Sequence, residues 1–142
     1  MTRDETLKNK HPMTKTIRHK VTIGAPPKAV FNVLINEKKH AKFSGAPASI
    51  SRKVGGAFTC YGDHIKGINL ELVPSKRIVQ SWRAKRWPAG IHSIVSFNLT
   101  RKRSGKTLIS FEHVGVPASR FKDINEGWRT FYWKPIKAYL EK

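Results

Sequence analysis

The stretch Gly127-Trp-Arg-Thr-Phe-Tyr-Trp-Lys-Pro-Ile-Lys-Ala-Tyr-Leu-Glu-Lys142 closes the chain, and its reading decides the fold. Trp128, Phe131, Tyr132, Pro135, Ile136, Tyr139 and Leu140 recur at the spacing of an amphipathic helix. So many large rings on one stripe have to lie on something broad and apolar. Pro135 has no amide hydrogen to give the carbonyl of Phe131, so a kink is expected near the middle of this helix.

The surface it needs is upstream. Residues 16–23 alternate as a strand, and Ala25-Pro26-Pro27 opens a helix whose apolar stripe is Ala29, Val30, Val33 and Leu34. Asn36 interrupts it before a second short helix through His40 to Phe43. Strands follow over 49–53, 57–61, 66–73, 77–85, 91–101 and 107–114, with turns at Gly55-Gly56, Pro74-Ser75-Lys76, Trp87-Pro88-Ala89-Gly90 and Ser104-Gly105. Strands joined by such short turns pair with their neighbours, giving an antiparallel meander. The expected architecture is α+β in two layers, a curved sheet gripping the C-terminal helix so that Trp128, Phe131, Tyr132, Ile136 and Tyr139 are buried together.

At 142 residues the chain makes one domain, able to bury about two-thirds of its unfolded surface without a disulfide or metal. Residues 1–15 are polar and aperiodic and read as a disordered lead-in to a domain over 16–142. Cys60 is alone, and neither a secretory signal nor a membrane-length apolar run is present, so a soluble, monomeric protein of the reducing cytoplasm is expected. The 28 Lys and Arg against 9 Asp and Glu give a formal net charge of +19, which favours encounter with any polyanion without naming one.

Catalytic and metal motifs are not evident. Gly105-Lys106-Thr107 resembles the end of a phosphate-binding loop, but Thr100 stands where that motif needs glycine. The six histidines are widely separated, and none has a cysteine or carboxylate at a metal-ligand spacing. No carboxylate pair and no nucleophile-elbow serine is recognisable. The chain reads as a non-enzyme needing no cofactor.

Two constellations remain. Strand parity puts Ile109, Phe111 and His113 on the apolar face, with Gln80 and Trp82 and with Val95 and Phe97 beside them. Together with Phe58, Cys60, Leu70, Trp128 and Tyr132 these would line any cavity under the helix, or form a filled core in which His113 bonds a backbone carbonyl or Tyr132. The second is electrostatic. Alternate turns of a meander emerge at one end, which gathers Lys76, Arg77, Arg101, Lys102, Arg103 and Lys106 into a basic edge. That edge either discourages aggregation or docks an acidic partner.

Several phrases carry a family resemblance. Gly55-Gly56-Ala-Phe58, Ile68-Asn-Leu-Glu-Leu-Val-Pro74, Lys76-Arg-Ile-Val-Gln-Ser-Trp-Arg83, Trp87-Pro-Ala-Gly90, Gly115-Val-Pro117, Gly127-Trp128 and Tyr132-Trp133-Lys-Pro-Ile-Lys137 resemble the C-terminal-type domain of the activators of the heat-shock protein 90 ATPase. That domain is of the START-like, helix-grip superfamily. The resemblance runs from Thr16 to Lys142 and implies about seven strands around the C-terminal helix, with a cavity between them. It leaves function open, because the superfamily includes lipid carriers, receptors and cyclases. The eukaryotic activators place a separate N-terminal domain on the chaperone, whereas only about fifteen polar residues precede the fold in this sequence, so ATPase stimulation is not implied.

Three readings follow. A carrier of a small apolar ligand requires a real cavity. An interaction module docking a chaperone or another acidic protein through the basic edge requires steep salt dependence and indifference to pocket substitutions. Nonspecific nucleic-acid association requires the same salt dependence with no protein partner.

Overall fold

The structure, a computed structural model, describes residues 13–142. The chain runs through β1 (Thr14–Ile23), α1 (Pro27–Ile35), α2 (Glu37–Ser44), β2 (Ser49–Ile50), β3 (Ala57–Cys60), β4 (Ile65–Val73), β5 (Arg77–Ala84), β6 (Ser93–Arg101) and β7 (Thr107–Pro117). A short 3₁₀ turn, Ala118–Arg120, then leads into α3 (Phe121–Trp128), a π-helical turn (Arg129–Trp133) and α4 (Lys134–Leu140). The strands form one antiparallel sheet of seven in the order β1-β7-β6-β5-β4-β3-β2. This is the expected α+β helix-grip architecture. No described helix is long and apolar enough to cross a membrane.

Because β1 and β2 lie at opposite sheet edges, α1 and α2 carry the chain from one to the other. Pro27 stands in the first turn of α1, which buries Val30, Phe31, Val33, Leu34 and Ile35. Asn36 ends that helix and caps the next, its side chain accepting from the Lys39 amide at 3.0 Å. Glu37 then accepts the Ile50 amide at 3.1 Å, fastening α2 to β2.

Three expectations about the strands need correction. Most of the lead-in anticipated over 1–15 lies outside the described residues, but Thr14 and Lys15 belong to β1, paired with Pro117 and Val116. The strand expected over 49–53 is only Ser49–Ile50, because the carbonyls of Ser51 and Lys53 accept from the Asn69 side chain at 2.7 and 3.3 Å instead of a strand partner.

The third concerns β4, where Leu70 was expected to face the helix and Ile68 precedes it by two residues. Both are 45% exposed, and Asn69 is fully buried between them. Two causes combine. A β-bulge between Asn69 and Glu71 breaks the alternation. Gly67, on the inner face, sits so close to its neighbours that a Cβ there would meet the Ser81 carbonyl oxygen at 1.8 Å and the Phe58 ring at 2.5 Å. The inner face here is closed by the Phe58 ring and by Asn69, whose oxygen accepts from Gln80 at 3.0 Å.

The break expected in the C-terminal helix takes the form of the π-helical turn just before Pro135. Its additional residue changes which rings face the sheet. Trp128, Tyr132, Trp133 and Ile136 are buried, whereas Phe131, expected inward, is 55% exposed. The Phe131 carbonyl that Pro135 cannot serve accepts instead from the Tyr61 hydroxyl, which reaches it from the end of β3.

Candidate functional site

The polar chemistry under the helix begins at His113. This residue has no exposure, on the same face as Ile109 and Phe111. The Trp128 indole N–H donates to His113 Nδ1 at 3.0 Å, and Ser93 Oγ lies 2.7 Å from His113 Nε2. An indole can only donate, so Nδ1 is unprotonated and the proton of the neutral ring sits on Nε2. Ser93 therefore accepts from His113 and passes its own hydrogen to the Trp82 carbonyl at 2.8 Å. Each buried group in this relay is satisfied. Burial pushes the His113 imidazolium pKa down to about 3, so the ring is neutral at physiological pH.

Two other histidines hold helix rings. His40 Nε2 lies 3.0 Å from the Tyr132 hydroxyl, and burial pushes its pKa down to about 4. The Trp133 indole donates to His19 Nδ1 at 2.9 Å while His19 Nε2 meets Asn125 Oδ1 at 2.8 Å, and burial lowers this pKa too. Cys60, packed near Tyr132, has its thiol pushed up to about 12 by burial, so it is inert as a nucleophile.

The residues expected around a cavity are therefore differently placed. Phe58, Cys60, Gln80, Trp82, Phe97, Trp128 and Tyr132 do converge, but on a void of only about 10 Å³. That is at the lower limit for a single water, about 10–15 Å³. Val95, Phe111 and His113 are buried in the surrounding packing. Leu70 is on the outer face.

A roomier, open space than this void lies at the end of the sheet where β5 finishes. This cleft, about 280 Å³, lies between the turn after β3, the end of β5 with the loop that follows, and one side of α3 with the π-helical turn. Tyr61 and Ile65 form one wall, Trp82 and Trp87 a second, and Ile124, Trp128 and Tyr132 a third. Trp82 and Trp87 meet edge to face with centroids 5.4 Å apart. Arg83 fixes the loop by donating to the carbonyls of Trp87, Pro88 and Ile91 at 2.8, 3.1 and 3.2 Å. Trp87 and Tyr61 did not emerge as site residues from the sequence, where the first marks a turn and the second ends a strand. An arginine inside an apolar strand was the available signal for an anchored loop.

The basic edge lies at the opposite end of β5. The Leu99 amide donates to the Lys76 carbonyl at 2.8 Å, which sets the turn after β4 beside the β6–β7 hairpin. That hairpin is closed by Lys102 N–H to Lys106 O at 2.8 Å, with Gly105 at φ +85° in its turn. Lys76, Arg101, Lys102, Arg103 and Lys106 are exposed, and among the described residues none has a carboxylate within ion-pair distance. Arg77 differs, being held by Glu71 at 3.4 Å and by Asn98. The patch continues onto Lys137 of α4 and Lys142 beyond its end, which border a groove with Lys106. Glu141 shares that groove but accepts the Gly24 amide at 2.7 Å. Of the other described carboxylates, Glu112, Asp63 and Glu126 are in ion pairs and Glu37 accepts a backbone amide, whereas Asp123, on α3 at the other end of the sheet, has no ion-pair partner among the described residues.

Comparison with known proteins gives a consistent result. A family model described as Activator of Hsp90 ATPase homolog 1-like protein matches residues 24–141. The Dictyostelium discoideum activator of 90 kDa heat shock protein ATPase homolog is 34% identical over 122 residues, 84% of this chain and 31% of that protein. The human activator of 90 kDa heat shock protein ATPase homolog 1 is 31% identical over 124 residues, 87% of this chain and 36% of that protein. The chain thus spans about a third of the length of these relatives. An HSP90 activator from Plasmodium falciparum shares the fold with a TM-score of 0.84 at 22% identity, over 89% of this chain and 96% of that one.

Proposed function

The chain belongs to the Activator of Hsp90 ATPase homolog 1-like protein family, and from that premise we propose that it is a non-enzymatic interaction module that docks an acidic face of the 90 kDa heat shock protein through its basic edge. The observation that carries this reading is the set of exposed, unpaired cations Lys76, Arg101, Lys102, Arg103 and Lys106 on two adjacent turns. Cations without carboxylates nearby repel one another and cost stability, so their concentration is best explained by a partner that neutralises them. Their long side chains also suit rapid, electrostatically steered encounter. A void of about 10 Å³ under the helix does not favour a ligand enclosed there.

The test is calorimetric titration of the 90 kDa heat shock protein with the full chain and with the variant Lys76→Gln, Arg101→Gln, Lys102→Gln, Arg103→Gln, Lys106→Gln. The expected result is binding that weakens steeply with salt, and a variant weakened by about tenfold or more with a flatter salt dependence. Undiminished binding by the variant would refute the reading. Retention of the chain by an oligonucleotide, with no chaperone binding, would replace it with nucleic-acid association.

A further inference from the structure

We propose that Ser104 is a phosphorylation site for a serine kinase selecting basic substrates, and that the phosphate switches off the basic edge; the second half rests on the chaperone-docking reading above. The hydroxyl stands directly after Arg101-Lys102-Arg103, and no other serine or threonine of the sequence follows three consecutive cations. A kinase that selects basic substrates needs cations just before the acceptor, because its carboxylates pair with them, most strongly with guanidinium groups.

The fold presents this segment as such an enzyme needs it. Ser104 lies at the tip of the β6–β7 hairpin and is exposed. The turn is closed by Lys102 N–H to Lys106 O at 2.8 Å and by Gly105 N–H to Lys102 O at 2.9 Å, and the ladder resumes beyond it at Arg101 and Thr107. The tip can therefore open into an extended form and leave the sheet intact. Neighbouring hydroxyls are less suited. Thr107 is buried and donates to the Ala25 carbonyl at 2.7 Å. Ser75, on the other turn of the edge, is half-buried at φ +63° and follows Leu72-Val73-Pro74, and Thr100 is exposed but follows Phe97-Asn98-Leu99.

In the transfer, Ser104 Oγ bonds to the γ-phosphorus of ATP as the bond from that phosphorus to the β,γ-bridging oxygen breaks. ADP leaves, and the serine proton passes to the kinase's catalytic carboxylate. The product carries about −1.5 to −2 charge at pH 7, on the same turn as Lys102, Arg103 and Lys106 and beside the turn of Lys76. Set against the unpaired cations Lys76, Arg101, Lys102, Arg103 and Lys106, it cancels roughly a third of their charge. None of them has a carboxylate within ion-pair distance among the described residues, so each is available to the phosphate oxygens. Those oxygens accept from the same N–H groups that would otherwise meet the partner, and both effects weaken docking.

The test treats the full chain with ATP and the catalytic subunit of cyclic-AMP-dependent protein kinase, and maps the phosphate by fragmentation mass spectrometry. The expected result is a phosphate on Ser104, none on Ser104→Ala, and incorporation slowed about tenfold or more by Arg101→Gln, which removes the cation three residues before the acceptor. On immobilised poly-glutamate the phosphorylated chain should elute at lower salt than the unmodified one, and its affinity for the 90 kDa heat shock protein should fall about fivefold or more. Ser104→Ala should bind the chaperone as the native chain does, with or without kinase treatment. Transfer to Ser75 or Thr100 in place of Ser104, no transfer at all, or unaltered elution after transfer would each overturn the inference. An unmodified chain that fails to bind the chaperone would instead defeat the docking reading, while the phosphate map and the poly-glutamate elution still decide whether Ser104 is modified and its edge weakened.

Discussion

Replacing His113 by leucine removes a side chain that is hydrogen-bonded to the helix through one ring nitrogen and to the sheet through the other. The volume changes little, so the cost comes mainly from the polar groups left behind. The Trp128 indole N–H, 3% exposed at its residue, loses its only acceptor, and a buried unsatisfied donor costs about 1–3 kcal/mol. Ser93 keeps the Trp82 carbonyl as acceptor and loses only the donation from His113, a further ~1 kcal/mol. The expected destabilisation is therefore about 2–4 kcal/mol, which in a domain of this size lowers Tm by roughly 8–16 °C. Denaturation followed by circular dichroism measures it. The companion variant Trp128→Phe removes the donor and leaves His113 Nδ1 unserved, so the double variant should lose about 1–3 kcal/mol less than the sum of the singles. Additivity within about 0.5 kcal/mol would refute the relay.

Acid should destabilise the fold well before its carboxylates titrate. The imidazolium pKa is about 3 for His113 and about 4 for His40, and lowered for His19, all below the ordinary 6.5. The unfolded chain therefore binds more protons below pH 6.5, and stability falls as pH drops from there toward the folded values, by roughly 1.4 kcal/mol per pH unit for each fully buried histidine. Urea midpoints unchanged between pH 7 and 5 would contradict this, and His113→Leu should flatten the slope. Tyr61→Phe should cost about 1 kcal/mol by leaving the Phe131 carbonyl unserved. In a Pro135→Ala background, where an amide hydrogen is restored, the same substitution should cost measurably less, and an equal cost in both backgrounds would show that the hydroxyl does not replace the missing donor.

The layers of the fold were legible because they rest on period. The aromatic spacing of the C-terminal helix and the alternation of β5, β6 and β7 each name a buried face, and the structure buries Trp82, Phe97, Phe111, His113 and Trp128 there. Period fails where one residue is added. The bulge after Asn69 and the π-helical turn after Trp128 each insert one, turning Leu70 outward and exchanging Phe131 for Trp133. Neither insertion is encoded by composition. The first depends on how closely Gly67 approaches Ser81 and Phe58, and the second on a proline whose lost hydrogen bond is made good by a tyrosine distant in sequence. His113 shows the limit on partners. Parity places its ring inside, but its partners are Trp128 and Ser93, while the Tyr132 hydroxyl goes to His40. The basic edge followed from turn adjacency alone, since two hairpin ends on the same side of a meander have to be neighbours. The open cleft did not, because its walls come from two turns and a helix face whose meeting only the tertiary fold determines.

The most direct test of chaperone docking is to titrate isotope-labelled chain with the unlabelled 90 kDa heat shock protein and record which amide resonances shift or broaden first. The account predicts that the earliest changes fall on the turn carrying Lys76, on the Arg101–Lys106 hairpin and on Lys137 and Lys142, and that they fade as salt is raised. Changes confined to the Tyr61 and Trp87 turns at the other end of β5, or no change at any chaperone concentration, would contradict it.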